Sequence, residues 1–212
     1  MRGQNTSSAV MQQRSEPHDS LDDFPTPPWA TRALCEFIAR YSDQRLGNLS
    51  CREPAANRGH MVRPLKEFFG SVQASDVHDY GAGFLTFDYL YPYPLEQVDW
   101  TITNPPFRLA EQFIKRALAT STHGVAMIVR SAFLEGAGRW VNLFAQTPPS
   151  HILQFSERVV MHKGRLAPEG STATAYAWLV WLKGRKGPTT FDWIAPCRKR
   201  LERKEDYEAE AA

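Results

Sequence analysis

The sequence predicts an α/β fold with a mostly parallel sheet and an antiparallel hairpin at its C-terminal edge. Three observations carry that expectation. Short apolar and β-branched runs alternate with segments of helical period between residues 24 and 146, the pattern of parallel strands joined by crossover helices. Gly124-Val125-Ala126-Met127-Ile128-Val129 is a continuous apolar run, as expected of a strand buried on both faces. The strands expected within 151–194 have no helical segment between them, so a hairpin is expected to close one edge.

A chain of 212 residues with 42% hydrophobic and 23% charged content has the make-up of one soluble globular domain with a proper core. Its formal net charge of +2 is close to neutral, so a polyanionic partner would have to meet a local patch. Cys35, Cys51 and Cys197 have neither a disulfide framework nor zinc-ligand spacing, which points to a reducing cytoplasm. No apolar run approaches membrane-spanning length and the N-terminus has no signal-peptide core, so no membrane partner is expected. The organisation read from this is a disordered polar arm over 1–22, one domain over 23–195 and a charged C-terminal tail over 196–212, helical or frayed at the surface.

In chain order, Thr26 is expected to cap a helix that starts at Pro27, with Trp29, Ala33, Leu34, Phe37, Ile38 and Tyr41 on one face. Leu49 to Glu53 reads as a strand end. After it come the small residues Pro54-Ala55-Ala56-Asn57-Arg58-Gly59 and a helix over 61–69. Ser71 to Asp76 is a second short strand, and the Gly-, Tyr- and Pro-rich stretch 80–93 is irregular. Val98 to Thr103 is a mostly apolar strand, followed by a helix through Leu109, Phe113, Ile114, Ala117 and Leu118. His123 to Arg130 is the buried strand noted above. Residues 133–146 form a helix broken near Gly136 and Gly138, and His151 to Phe155, Ala175 to Leu182 and Phe191 to Ile194 are the late strands.

The residues that point to chemistry sit at strand ends. Asn104-Pro105-Pro106-Phe107 follows the strand at 98–103 directly, and two prolines cannot continue a ladder. The carboxyl ends of strands are where open α/β sheets bind ligands, although four such residues also make an ordinary turn. Small residues after Glu53 would let a ligand approach the backbone, and equally suit a plain strand-to-helix loop. Asp76 ends the second strand 23 residues after Glu53, the usual place for an acid that accepts hydrogen bonds from a ribose diol. The basic stretch with Arg158, His162, Lys163 and Arg165 reads as a phosphate-contacting segment or as a solvated loop. His60 and His78 have no partner at ligand spacing and read as ordinary polar side chains.

Taken together and in order, Phe24-x-Thr26-Pro27, Glu53-Pro54-Ala55-x-x-x-Gly59, Asp76 and Asn104-Pro105-Pro106-Phe107 resemble the S-adenosylmethionine-dependent amino-methyltransferases. The resemblance is greatest to DNA adenine methyltransferases acting on the N6 amine, in particular the small enzymes of phages and prophages, where a strand like Tyr176-Ala177-Trp178 follows a basic loop. It implies a Rossmann-like class I methyltransferase fold and S-adenosylmethionine as cofactor. Thr26 and Pro27 would contact the methionine part, Glu53, Pro54, Ala55, Asn57 and Gly59 would form the methionine-binding loop, and Asp76 would hold the ribose. Asp88 and Tyr89 would hold the cofactor's adenine. Asn104, Pro105, Pro106 and Phe107 would be catalytic, with Phe107 stacking on the target base, and Arg158, Lys163 and Arg165 would face the substrate. The implied partner is DNA, through a flipped or single-stranded adenine, with a monomeric protein and no metal. RNA adenine and protein glutamine methylation, or a catalytically inactive nucleic-acid-binding relative, are the alternatives. The family usually has glycine where Asn57 stands; asparagine tolerates the left-handed backbone such a turn needs.

Overall fold

The computed structural model describes residues 22–166 and 168–207. Residues 1–21 of the expected arm and the last part of the expected tail lie outside the described residues. Eight strands form one sheet in the order β3-β2-β1-β4-β5-β7-β6-β8. They are β1 (Ser50–Glu53), β2 (Ser71–Asp76), β3 (Leu85–Thr86), β4 (Val98–Thr103), β5 (Ser121–Arg130), β6 (His151–Phe155), β7 (Tyr176–Leu182) and β8 (Thr190–Ile194). β1 pairs parallel with both β2 and β4, and β4 pairs parallel with β5. β7 alone runs backwards, antiparallel to β5 on one side and β6 on the other. The expected antiparallel pair is therefore β6–β7, but it does not end the sheet. β8 lies outside it, parallel to β6.

Why β5 and β7 are apolar throughout follows from the layers. Side chains alternate across a strand, and here both sides are covered. Ala126 and Ile128 of β5 join Trp178 and Val180 of β7 in a core shared with helix α1 (Pro28–Tyr41) and helix α2 (Val62–Phe68). Val125, Met127 and Val129 join Leu179 and Trp181 on the opposite face, against helix α3 (Ala110–Thr120). The Trp178 indole donates to the Ala30 carbonyl at 3.1 Å, which seats α1 on the sheet. The break expected near Gly136 occurs at that residue, at φ 117°. A three-residue helix, α4 (Ala137–Arg139), then runs into a π-helical turn over Trp140–Phe144. Among the described residues no helix is long and apolar enough to cross a membrane.

Two expectations change. Thr26 does not cap α1: Pro27 occupies the cap position without a side-chain hydrogen bond and Pro28 opens the helix. The cap position thus falls one residue later than expected, on a side chain with no acceptor, and the Ala30 N–H is taken by the Pro27 carbonyl, which leaves the Thr26 hydroxyl outside the helix end. The charged segment after 196 is also more than surface. Helix α5 (Arg198–Leu201) is capped by Glu157, whose Oε1 accepts from the backbone N–H groups of Cys197 and Arg198 at 2.6 and 2.7 Å. Beyond it, buried Asp206 takes two 2.8 Å hydrogen bonds from the Arg32 guanidinium, which is only 3% exposed and also bonds Glu67. A buried guanidinium needs such partners.

Removing Asp206 leaves Arg32 half-neutralised inside the fold. Asp206→Ala is expected to lower unfolding free energy in urea by about 3 kcal/mol, whereas Arg203→Ala, at an exposed ion pair to Glu67, should stay within about 1 kcal/mol.

Candidate active site

The strand order turns outward in both directions from the β1–β4 pair, since the chain goes from β1 to β2 on one side and from β4 to β5 on the other. The loops leaving these two strands therefore part, and a crevice of about 450 Å³ opens between them. Its floor is fixed by Glu53, the last residue of β1. The carboxyl is fully buried, and Oε1 accepts from the Thr103 hydroxyl at 2.5 Å and from the Ala55 N–H at 2.9 Å. One oxygen thus joins the end of β1, the first loop and the end of β4. Burial pushes the Glu53 pKa up to about 8, against the lowering effect of those two bonds.

The loop after Glu53 depends on Asn57, which has φ 50° and is the only non-glycine with positive φ among the described residues. Its backbone N–H donates to Asp76 Oδ2 at 2.9 Å, and its side chain donates to Asp23 Oδ1 at 2.7 Å. Glycine could make the turn but not the second bond. Asp76 also accepts from the His78 N–H at 3.0 Å through Oδ1, so two backbone donors orient this carboxylate at the crevice wall. Across from it, Asp88 is tied to the Leu90 N–H at 2.9 Å. Tyr89 is buried against Phe113 with ring centroids 5.0 Å apart.

At the other end, Asn104 donates Nδ2 to the Phe24 carbonyl at 2.9 Å, which turns Oδ1 into the available acceptor. The segment just before α1 acts as a strap over this end. Asp22 Oδ2 accepts from the Phe107 N–H at 2.7 Å. Asp23 pairs with Arg58 at 3.0 Å, and its carbonyl accepts from the Gly164 N–H at 2.8 Å.

Of the residues singled out from sequence, Thr26, Pro54, Ala55, Asn57, Asp76, Asp88, Tyr89, Asn104 and Pro106 line the crevice. Pro27, Glu53, Gly59, Pro105 and Phe107 do not. Pro27 is the N-cap of α1; Glu53 lies beneath the floor; Gly59 makes a turn at φ 86°, where a Cβ would come within 2.9 Å of the Phe84 ring. Phe107 is turned toward Phe24, at a centroid distance of 5.6 Å. Lys163 and Arg165 flank Gly164, and so stand beside the strap. Arg158 is elsewhere: its guanidinium reaches the Ala173 carbonyl at 3.3 Å and lines a separate crevice of about 250 Å³ with Gln154, Glu157 and Tyr176.

Several lining residues escaped the sequence reading, Tyr80 and Arg108 among them, and two of the others are titratable groups with fixed partners. Asp22, assigned to the arm, lines the crevice, and nothing in its polar neighbourhood sets it apart. His60, read as an ordinary side chain, lines it too and is buried, with Nδ1 2.9 Å from Arg63. Burial, with Arg63 and Arg58 nearby, pushes its pKa down to about 4, so it is neutral at pH 7. Its place just after the small-residue loop was the available signal.

No family model matches the chain, and no curated protein matches it. Solved structures do. The methyltransferase subunit of a type I restriction-modification system from Streptococcus thermophilus superposes with a TM-score of 0.61 at 10% identity, over 89% of this chain and 52% of its own. A protein described as a modification subunit of a type I restriction enzyme from Vibrio vulnificus YJ016 gives 0.56 at 18% identity, over 94% and 52%. One described as an RNA methyltransferase from Pyrococcus horikoshii gives 0.57 at 16% identity, over 82% and 95%. The chain thus spans about half the length of the two restriction-system subunits. What is shared is the fold, a Rossmann-like α/β sheet of the methyltransferase type.

The Glu53 shift has a stability consequence. A carboxyl whose folded pKa lies near 8, against 4.5 for an ordinary glutamate, stays protonated in the fold while the unfolded chain ionises. Its contribution is complete below about pH 4.5 and declines as pH rises toward 8. Unfolding free energies measured from pH 5 to 8 should therefore fall more steeply in the wild type than in Glu53→Gln, by up to about 1.4 kcal/mol per pH unit.

Proposed function

We propose that this chain transfers a methyl group from S-adenosylmethionine to the exocyclic N6 amine of adenine in DNA. The observation that carries the proposal is the Asn104 amide, which is held by the Phe24 carbonyl with its oxygen free at the end of a nucleoside-sized crevice. The residues present fit the cofactor. Asp76 offers a carboxylate to a diol, and Asp88 with Tyr89 borders the same crevice. The buried Thr26 Oγ1 lacks a hydrogen-bond partner among the described residues, and a polar ligand would supply one. S-adenosylmethionine, when bound, supplies an electrophilic methyl group on its sulfonium.

The chain's own contribution is to make a poor nucleophile competent. The lone pair of an aryl amine is delocalised into its ring. Asn104 Oδ1 and the Pro105 carbonyl accept hydrogen bonds from the two amine N–H groups and hold them out of the ring plane, so the nitrogen becomes tetrahedral and its lone pair is aimed; one of these N–H protons passes to solvent once the new N–C bond has formed. As positive charge grows on that nitrogen, both acceptor dipoles stabilise it without reorganising. A base within a duplex is out of reach, so the target is flipped or single-stranded. Lys163 and Arg165, beside the strap, supply cations for the flanking phosphates. Similarity to two restriction-system subunits supports DNA as the substrate. The likeness to a protein described as an RNA methyltransferase, over 95% of that chain, favours RNA adenine as a second reading.

Tritium transfer to unmethylated DNA and to RNA, run beside calorimetric titration with S-adenosylmethionine, tests the proposal. Asn104→Ala should reduce transfer to DNA by at least about a hundredfold while leaving cofactor affinity within a fewfold. Asp76→Ala should instead weaken cofactor binding by about tenfold, the scale of a lost charge-assisted hydrogen bond. A wild type that takes up no cofactor would sink the reading, and one that methylates only RNA would transfer it to the second.

A further inference from the structure

Phe107 is the member of the Asn104–Phe107 turn that does not line the crevice, and its ring is already covered. The Arg130 guanidinium stacks 3.9 Å from the Phe107 centroid and lies 5.8 Å from that of Phe24. Arg130 is the last residue of β5, exposed, and paired in register with buried Tyr176. The Phe107 backbone is held by Asp22, so the turn itself is fixed. The long, exposed side chain of Arg130, which also interacts with the Tyr176 hydroxyl, is the part of this stack that can move.

We propose that Arg130 is the residue that recognises a polynucleotide at this site. In the free protein its guanidinium holds the face of Phe107. On binding it yields that face to an extrahelical adenine and moves to a phosphate of the same strand. The inference rests on the methyltransferase reading above and adds to it the residue that tells a polynucleotide from a free nucleoside.

Guanidinium is suited to both positions, because it stacks on aromatic rings and meets phosphate with a planar fork. The magnitudes favour the exchange. An exposed cation–π contact is worth about a two- to fivefold factor in affinity, whereas stacking a base on an aromatic ring is worth about five- to 150-fold. The displaced cation then gains a charge-assisted contact. A free nucleoside has the base but no chain of phosphates to receive Arg130, and a glutamine amide has neither an aromatic face nor a phosphate. The nucleoside therefore gains the stack but not the phosphate contact, and the amide gains neither, so the exchange favours a polynucleotide over both.

The test uses the full chain, with adenosine and a short adenine-containing single-stranded oligonucleotide as probes, over a range of salt concentrations. In Arg130→Ala, adenosine should bind about two- to fivefold more tightly, because its competitor is gone. The oligonucleotide should bind more weakly, and the slope of log affinity against log salt should drop by about 0.7, one phosphate contact on a single strand. Arg130→Lys should restore the salt slope but not the planar stack. An adenosine affinity that is unchanged or weaker in Arg130→Ala would overturn the proposal, as would an unchanged salt slope or a wild type that binds no oligonucleotide. Titration with S-adenosylmethionine, whose crevice Arg130 does not line, keeps the two ideas apart: its failure in the wild type removes the methyltransferase reading, while the adenosine and salt measurements judge Arg130 directly.

Discussion

The hydrogen bond between Glu53 and Thr103 is the interaction on which the rest of this site depends. Two parallel strands diverge at their carboxyl ends, and nothing in sheet geometry dictates how the loops beyond them face each other. A carboxyl buried between them does. Its single oxygen reaches both the Thr103 hydroxyl and the Ala55 N–H, so the loop after β1 and the turn after β4 share one reference point. The strand ends could not be joined as directly by apolar packing, which is not directional. The consequence of hiding an acid there is its raised pKa, a local cost that the fold tolerates for alignment.

A second set of bonds closes the site from above. Asp22, Asp23 and Phe24 together reach the Phe107 N–H, the Asn57 amide, Arg58, the Gly164 N–H and the Asn104 amide. Three consecutive residues thus touch the loop after β1, the turn after β4 and the loop at Gly164. A rotated Asn104 would present N–H donors where its oxygen now stands as an acceptor at the crevice. The Phe24 carbonyl settles that orientation within the fold itself. The amine clamp proposed above would draw on preorganisation of this kind.

How much of this could be read from the sequence depended on whether a residue's meaning is local. The strands at 71–76, 98–103 and 123–130 were legible because apolar continuity is a property of neighbours in the chain. Asn104 and Asp76 were legible because strand ends in such sheets bind ligands. Asn57 stood out as a departure from glycine, and the left-handed backbone it adopts is the one the turn required. What was hidden is long-range. Asp22 and Asp206 look like any solvated acid until Phe107 and Arg32 are brought to them. Burial of Glu53 rests on a threonine fifty positions away. Phe107 was expected to face a base, and only the meeting of β5 with the turn shows it already occupied by Arg130. Gly59 was misplaced for a different reason: a glycine can mark close approach of a ligand or of the chain itself, and here the neighbour is Phe84.

The bond from Arg32 to Asp206 spans 174 positions of the sequence. Three stretches far apart in the chain, α1, α2 and the turn after α5, thus close on one guanidinium. Opening any one of them takes a hydrogen-bonding partner from a buried cation that the other two still hold. Local fluctuation at one of these places is therefore opposed by all three, and the segment after α5 acts as a clasp on the first helix.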